Sequence, residues 1–367
     1  MERKIKLAIA IVLIIAAIFY LQATTVHPQV LSQKEVLANN SVSLAAKSAK
    51  YSPAADFVNP TGFINTDNFT LKQLVGSKII LLDFWTYSCI NCQRTIPFLN
   101  AWYEKYEASG FVVVGVHTPE FEFEKNIGNV KQAVQQFGIK YPVVLDSEYG
   151  TWSAYNNHYW PAEYLIDVDG FVVNTHFGEG DYEETESKIV ELLKEKADRE
   201  GGKINMNESV ATPAAVQAQT ASPETYFGAA RNEFLANGEK GRVGVQEMAI
   251  PQKLEGNQLY LGGTWNFTPE YATNLQGNAK ITFTYYAKGI YLVASSQNES
   301  KIIVTLDGKP VSQEIAGEAI RFEGNQSFAV VKEAKLYRLV QSSSPEQHTL
   351  EIMVVGNGLR AYTFTFG

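Results

Sequence analysis

Cysteine is nearly absent from this chain. Cys89 and Cys92 are the only two in 367 residues. A zinc site wants four ligands, and His117, His158 and His176 are not at ligand spacing from one another, so zinc is disfavoured. Cations are in the minority, with 31 Lys and Arg against 39 Asp and Glu and a formal net charge of −8. Phosphate affinity comes from clustered Lys and Arg, so no nucleic-acid partner is expected. A third absence is local: no aromatic residue occurs from Glu183 to Thr225. Within that interval 209-SVATPAAVQAQTASP-223 has linker composition. What remains is ordinary for globular protein, with 45% hydrophobic and 19% charged residues. The length favours two domains.

The N-terminus stands apart. Arg3, Lys4 and Lys6 precede 7-LAIAIVLIIAAIFYLQA-23, a run without charge. Its length is at the short end of a membrane span, roughly 17 to 25 residues. Basic residues before such a run keep the N-terminus in the cytoplasm and send the rest across. No Cys follows, which excludes a lipoprotein anchor. No clear A-x-A cleavage site ends the run, so an uncleaved signal anchor is favoured over a cleaved signal peptide and secretion. Either way the bulk of the chain is expected in an oxidising, extracytoplasmic compartment. The expected organisation is a single-pass anchor over 1–23, a polar tether over 24–54, one domain over 55–200, a linker over 201–223 and a second domain over 224–367.

The first domain alternates strands and helices. Residues 79–84 and 111–117 are apolar runs that read as buried strands. Ile96, Leu99, Tyr103 and Tyr106 lie at helical spacing, and 124–137 reads as a helix ending before Gly138. Residues 142–146 are short and strand-like. Residues 163–167 and 171–177 flank Asp169-Gly170, a hairpin signal, and a last helix starts near Tyr182. The order is that of a thioredoxin-type α/β domain. In the second domain Ile281, Phe283 and Tyr285 alternate with polar neighbours, as do Ile302, Val304 and Leu306. Short alternating strands with turns between them predict an antiparallel β-sandwich, preceded by one helix near 224–236.

The chemistry sits in 83-DFWTYSCINCQRTIPF-98. Cys89 and Cys92 follow a buried strand and open a helix. A thiolate there is stabilised by the helix dipole and free backbone N–H groups. Cys89 is expected to attack, and Cys92, one turn in, to resolve the mixed disulfide. A purely structural disulfide is disfavoured, because closing so small a loop gains little chain entropy. A copper site using the pair and a His stays open. Asp83 in its apolar strand reads either as a buried proton acceptor for the resolving thiol or as a strand-end acid that caps or faces solvent.

These residues carry a resemblance. Leu82-Asp83-Phe84-Trp85 followed by CxxC resembles the thioredoxin active-site strand and helix. The strings 84-FWTYSCINCQRTIPFLNAWYEKY-106, 115-GVHTPEFEFE-124 and 159-YWPAEYLIDVDG-170 resemble the extracytoplasmic region of TlpA/DipZ-type thiol–disulfide oxidoreductases. The likeness covers most of residues 56 to 367. It implies that Asp83 is the buried aspartate, that Pro161 is a cis-proline beside the cysteines, and that Trp160 helps bind the partner segment. A cis X-Pro there exposes backbone for pairing with a substrate strand.

The chain departs from its relatives in two respects. DipZ-type proteins carry a polytopic electron-transfer domain where this chain has a single apolar run, so electrons are expected from a separate membrane donor of the CcdA/DsbD type. TlpA-like relatives often carry a Glu in the helix after the CxxC, where this chain has Thr95. Glu120 and Glu122 are therefore candidates for proton handling, with solvated loop acids as the plain alternative. The second domain resembles a carbohydrate-binding-module-like sandwich. Trp265, Tyr271, Tyr286 and Tyr291 are candidates to stack on a glycan or a partner protein, although aromatics in alternating strands more often pack a core. The reading is a membrane-tethered oxidoreductase exchanging disulfides with partner proteins. It uses no cofactor beyond the Cys89–Cys92 disulfide and no metal. The rivals are a carbohydrate- or envelope-binding protein and a copper-handling protein.

Overall fold

The structure is a computed structural model, and it describes residues 44–201 and 222–367. The expected anchor, most of the tether and nearly all of the linker lie outside the described residues. Among the described residues no helix is long and apolar enough to cross a membrane.

The α/β region runs β1 (Gly62–Ile64), β2 (Ile79–Trp85), α1 (Ile90–Tyr106), β3 (Phe111–His117), α2 (Ile127–Gln136), β4 (Val143–Leu145), α3 (Gly150–Ala154), β5 (Ala162–Ile166), β6 (Val172–Phe177) and α4 (Tyr182–Arg199). Its sheet has the order β1-β4-β3-β2-β5-β6. β2, β3 and β4 are parallel, while β5 and β6 run antiparallel to close one edge. Successive side chains of a strand point to opposite faces. Ile79, Leu81 and Trp85 therefore pack with Leu99, Trp102 and Ile189 of α1 and α4, whereas Ile80, Leu82 and Phe84 fill the other face. Asp83 has the parity of Leu81 and Trp85, so it enters the layer under α1. The 124–137 helix is shorter than expected. It begins at Ile127, capped by the Asn126 side chain on the Gly128 N–H, after a 3-10 turn over Glu122–Lys125. That turn frees Glu124 from helical work and turns it inward, buried.

The all-β region comprises β7 (Thr225–Tyr226), β8 (Gly244–Met248), β9 (Leu259–Phe267), β10 (Ala272–Asn274), β11 (Ala279–Ser296), β12 (Ser300–Leu306), β13 (Lys309–Pro310), β14 (Arg321–Glu323), β15 (Gln326–Val331), β16 (Lys335–Val355) and β17 (Leu359–Phe366). The short strands expected here are only part of it, since β11 and β16 have 18 and 21 residues. β11 pairs with β9 over part of its first half and with β17 over its second, and its pairing with β16 shifts register at Ala287/Gly289 and Ile290/Tyr291. Gly289 makes that bend possible, because a Cβ would lie 2.5 Å from the Tyr291 Oη and 2.9 Å from the Val340 carbonyl. Trp265, Phe283, Tyr285 and Phe364 fill the core.

The helix expected near 224–236 is absent. Thr225 and Tyr226 pair with β17, and the chain then turns. The N–H groups of Ala229 and Ala230 donate to the carbonyls of Thr268 and Pro269. Gly228 passes so close to that segment that a Cβ would sit 2.2 Å from the Glu270 carbonyl carbon. Tertiary hydrogen bonds have taken the donors that a helix would have used.

Candidate active site

Both cysteines are free thiols. Cys89 caps α1, its sulfur accepting from the Cys92 N–H at 3.2 Å. It is half-buried and faces a cleft, while Cys92 is buried behind it. Burial first, then the Cys89 sulfur and the charge of Asp83, push the Cys92 thiol well up. The outer sulfur is thus reachable and the inner one is held as a thiol until a base removes its proton.

Asp83 is buried and burial raises its carboxyl to about 8. The strand-end alternative, a solvated cap, is therefore not what the fold makes of it. The Trp160–Pro161 peptide is cis. The Trp160 carbonyl lies 3.9 Å from the Cys89 sulfur, and its indole donates to the Thr118 carbonyl at 3.0 Å. Cys89, Cys92, Asp83, Trp160 and Pro161 are accordingly one site. Beside it, Tyr159 and Phe177 are exposed with ring centroids 5.3 Å apart.

The two candidate acids separate. Glu120 accepts from the Tyr226 hydroxyl and from Arg231, both at 2.8 Å, on the rim of the Cys89 cleft. Glu122 is 71% exposed and pairs with Lys125, so it does not reach the cysteines. Two acids missed in the sequence lie closer to the chemistry. Glu124 accepts from the Ser88 N–H and hydroxyl and from the N–H groups of Glu120 and Phe121, which ties the loop before Cys89 to the segment after β3. Glu163 is buried on β5 directly across from Asp83 on β2. Its strand parity was legible, but the register that brings it to Asp83 was not. Thr95 is buried, donating to the Asn91 carbonyl.

The all-β region reaches this site. Ile90, between the cysteines, is buried among Phe121, Tyr291, Val293, Leu336 and Tyr362, most of them from the all-β region. Around it the Tyr87 hydroxyl donates to the Ala334 carbonyl and Arg338 donates to Gln93. A cleft of about 410 Å³ results, with Cys89, Trp160 and Phe177 on one side and Glu224, Tyr226 and Arg231 on the other. Of the aromatics considered for glycan stacking, Trp265 and Tyr291 belong to the interior, Tyr271 packs at 5.1 Å on Tyr362, and Tyr286 is exposed. Among the described residues, no group of three or more His, Cys, Asp or Glu side chains could hold a metal.

Residues 222–367 match a family described as thioredoxin like C-terminal domain, and residues 52–175 match the AhpC/TSA family. Protein DipZ of Mycobacterium tuberculosis is 37% identical over 326 residues, which are 88% of this chain and 44% of that protein. The chain thus spans less than half the length of that relative. The thiol-disulfide oxidoreductase ResA of Bacillus thuringiensis is 30% identical over 134 residues, 34% of this chain and 75% of the relative. YkuV of Bacillus subtilis, also named a thiol-disulfide oxidoreductase, is 29% identical over 143 residues, 39% of this chain and 95% of the relative. The chain belongs to the thioredoxin-like thiol–disulfide oxidoreductases.

Proposed function

We propose that this protein exchanges disulfides with partner proteins through Cys89 and Cys92, outside the cytoplasm, tethered by its N-terminal apolar run. One observation carries the reading: a reachable sulfur at a helix N-terminus, backed by a buried thiol and a buried carboxyl. Cys89 attacks the partner's disulfide and becomes joined to one of its sulfurs. Cys92 gives its proton to Asp83 and attacks Cys89, releasing the partner as a dithiol. The spent pair is then re-reduced, for which a separate membrane donor of the CcdA/DsbD type is the fitting source. Run backwards, the same steps oxidise a partner.

The cleft bears on which partners fit. A disulfide must reach Cys89 between the Trp160–Pro161 turn and the all-β wall. An extended segment pairing with the Trp160 backbone suits that passage. Insulin-disulfide reduction by a Cys89→Ser variant should be lost, and retained activity would overturn the assignment. A Cys92→Ser variant should accumulate mixed disulfides with partners. If none can be trapped, Cys92 is not the resolving thiol.

A further inference from the structure

Behind Cys92 lies a group of polar atoms that the exchange chemistry above does not fully use. Asp83 and Glu163 occupy paired positions on adjacent antiparallel strands, so both side chains enter the layer under α1. Both residues are buried, at 1% and 3% exposure. Asp83 Oδ1, Glu163 Oε2, the Tyr141 hydroxyl and the Trp85 indole N–H are all buried without a protein hydrogen-bond partner. On β3 the residue facing Asp83 is Gly115, where a Cβ would come within 2.8 Å of the Trp85 indole nitrogen and 3.2 Å of the Tyr141 ring. The sheet has kept this position free of a side chain. Such a concentration of unsatisfied polar atoms is expensive in a core and calls for a use.

We propose that Glu163 is a positioning residue for the resolving step: it forms with Asp83 a coupled carboxyl pair behind Cys92, holding its own proton while Asp83 takes and returns the proton of Cys92. The inference rests on the exchange reading above. Two carboxylates this close and this buried do not ionise together. The groups facing Glu163 are Asp83 from β2, His176 opposite it on β6, Tyr141 from the segment before β4, and Tyr182 and Thr185 from α4. Of these only His176 can carry a positive charge, and its Nδ1 is turned to the Asp181 carboxylate, 3.6 Å away. Burial first, then the charge of Asp83, hold the Glu163 carboxyl well up. Asp83 is the carboxyl that acts on Cys92, so Glu163, one strand further along the sheet, is left as the neutral acid of the pair, able to offer an O–H to the Asp83 carboxylate as it forms.

The resolving step balances as follows. The Cys92 S–H proton goes to Asp83. The Cys92–Cys89 bond forms, the bond from Cys89 to the partner sulfur breaks, and the partner sulfur leaves as a thiolate that takes a proton from water. Two electrons have passed from the thiol pair to the partner's disulfide.

Single-turnover kinetics on the full chain with a peptide disulfide separate mixed-disulfide formation from its resolution. Glu163→Leu removes the neutral donor. It should leave formation unchanged and move the rising limb of resolution up by about one pH unit, about a tenfold slowing at pH 7. Glu163→Gln keeps a neutral donor and should retain the unsubstituted limb. Normal exchange with an unmoved limb in Glu163→Leu overturns this proposal alone, whereas no mixed disulfide in the unsubstituted chain overturns the exchange reading and this proposal with it. Carbon-13 titration of the carboxyl groups in the reduced, unsubstituted chain is independent of any variant's folding. It should find Glu163 protonated at pH 7, and an ionised Glu163 there refutes the pair.

Discussion

The two regions use buried polarity in opposite ways. The α/β region hides carboxyl groups where they are costly, at Asp83, Glu124 and Glu163, and a neutral imidazole at His117, which burial lowers to about 3. The all-β region fills its interior with Trp265, Phe283, Phe364 and their neighbours, and spends its polar side chains on holding turns and edges, as Asn274 does for the Gly356 carbonyl and the Leu359 N–H. One region buries carboxyl and thiol groups and the other packs apolar side chains. They meet at Ile90, where the all-β region buries the side chain between the two cysteines. A Cys-x-x-Cys motif whose own residue is part of an inter-region core cannot be treated as an independent module.

The largest effect expected from breaking that contrast is at the meeting point. Ile90→Ala should cost about 4 kcal/mol, by lost transfer energy and a cavity in the shared cluster. Denaturant unfolding of the full chain checks this, and a loss below about 1 kcal/mol would mean the cluster does not join the regions.

Asp83→Asn should act in the other direction. The folded carboxyl titrates at about 8, against 3.8 as a free side chain. The unfolded chain therefore releases that proton at lower pH than the folded one. Stability linked to Asp83 is intact below pH 4 and falls as pH rises toward 8. Asn removes the penalty and should stabilise the protein by up to about 4 kcal/mol at pH 7, while slowing resolution of the mixed disulfide. Melting curves across pH decide it: the gain must vanish in acid, and a pH-independent difference would refute the buried-acid account.

Glu124→Ala leaves the N–H groups of Ser88, Glu120 and Phe121 without their acceptor, at a cost of about 2 kcal/mol. The same change should slow attack by Cys89, because the loop in front of it loses its anchor. Unchanged attack kinetics would remove Glu124 from the positioning of the site. The smallest effect belongs to Arg231→Ala. Its bond to Glu120 is partly exposed, so stability should fall by less than about 1 kcal/mol. Substrate affinity should move more than the rate of chemistry, because Arg231 lines the cleft without touching sulfur. A fall in the chemical step with affinity intact would contradict that division.

Much of the α/β region was readable before any coordinates, and for a physical reason. β2 and β3 are buried on both faces and show as unbroken apolar runs, Asp169-Gly170 marks a turn, and Cys89 announces a helix start. Asp83, Trp160 and Pro161 were found through strand context and family likeness. Glu163 was not found, because a polar residue in 163-EYLID-167 looks like ordinary alternation until the β2–β5 register sets it against Asp83. Glu124 was read as the first residue of a helix, since nothing local distinguishes a helix start from the 3-10 turn that turns it inward. The all-β region was legible in its alternation and not in its connectivity. The apolar spacing at 224–236 fits a helix equally well, and only the hydrogen bonds to Thr268 and Pro269 decide against one. The burial of Ile90 has no sequence signal, because its neighbours in the all-β region are about two hundred or more residues away along the chain.

The central claim is that Cys89 works at the floor of a cleft whose second wall is the all-β region. The direct measurement compares the rate at which the reduced full chain attacks a disulfide in an extended peptide with its rate on the same disulfide inside a tightly folded protein. The account predicts faster attack on the extended peptide by about tenfold or more, equivalent to about 1.4 kcal/mol. Equal rates, or faster attack on the folded protein, would contradict it.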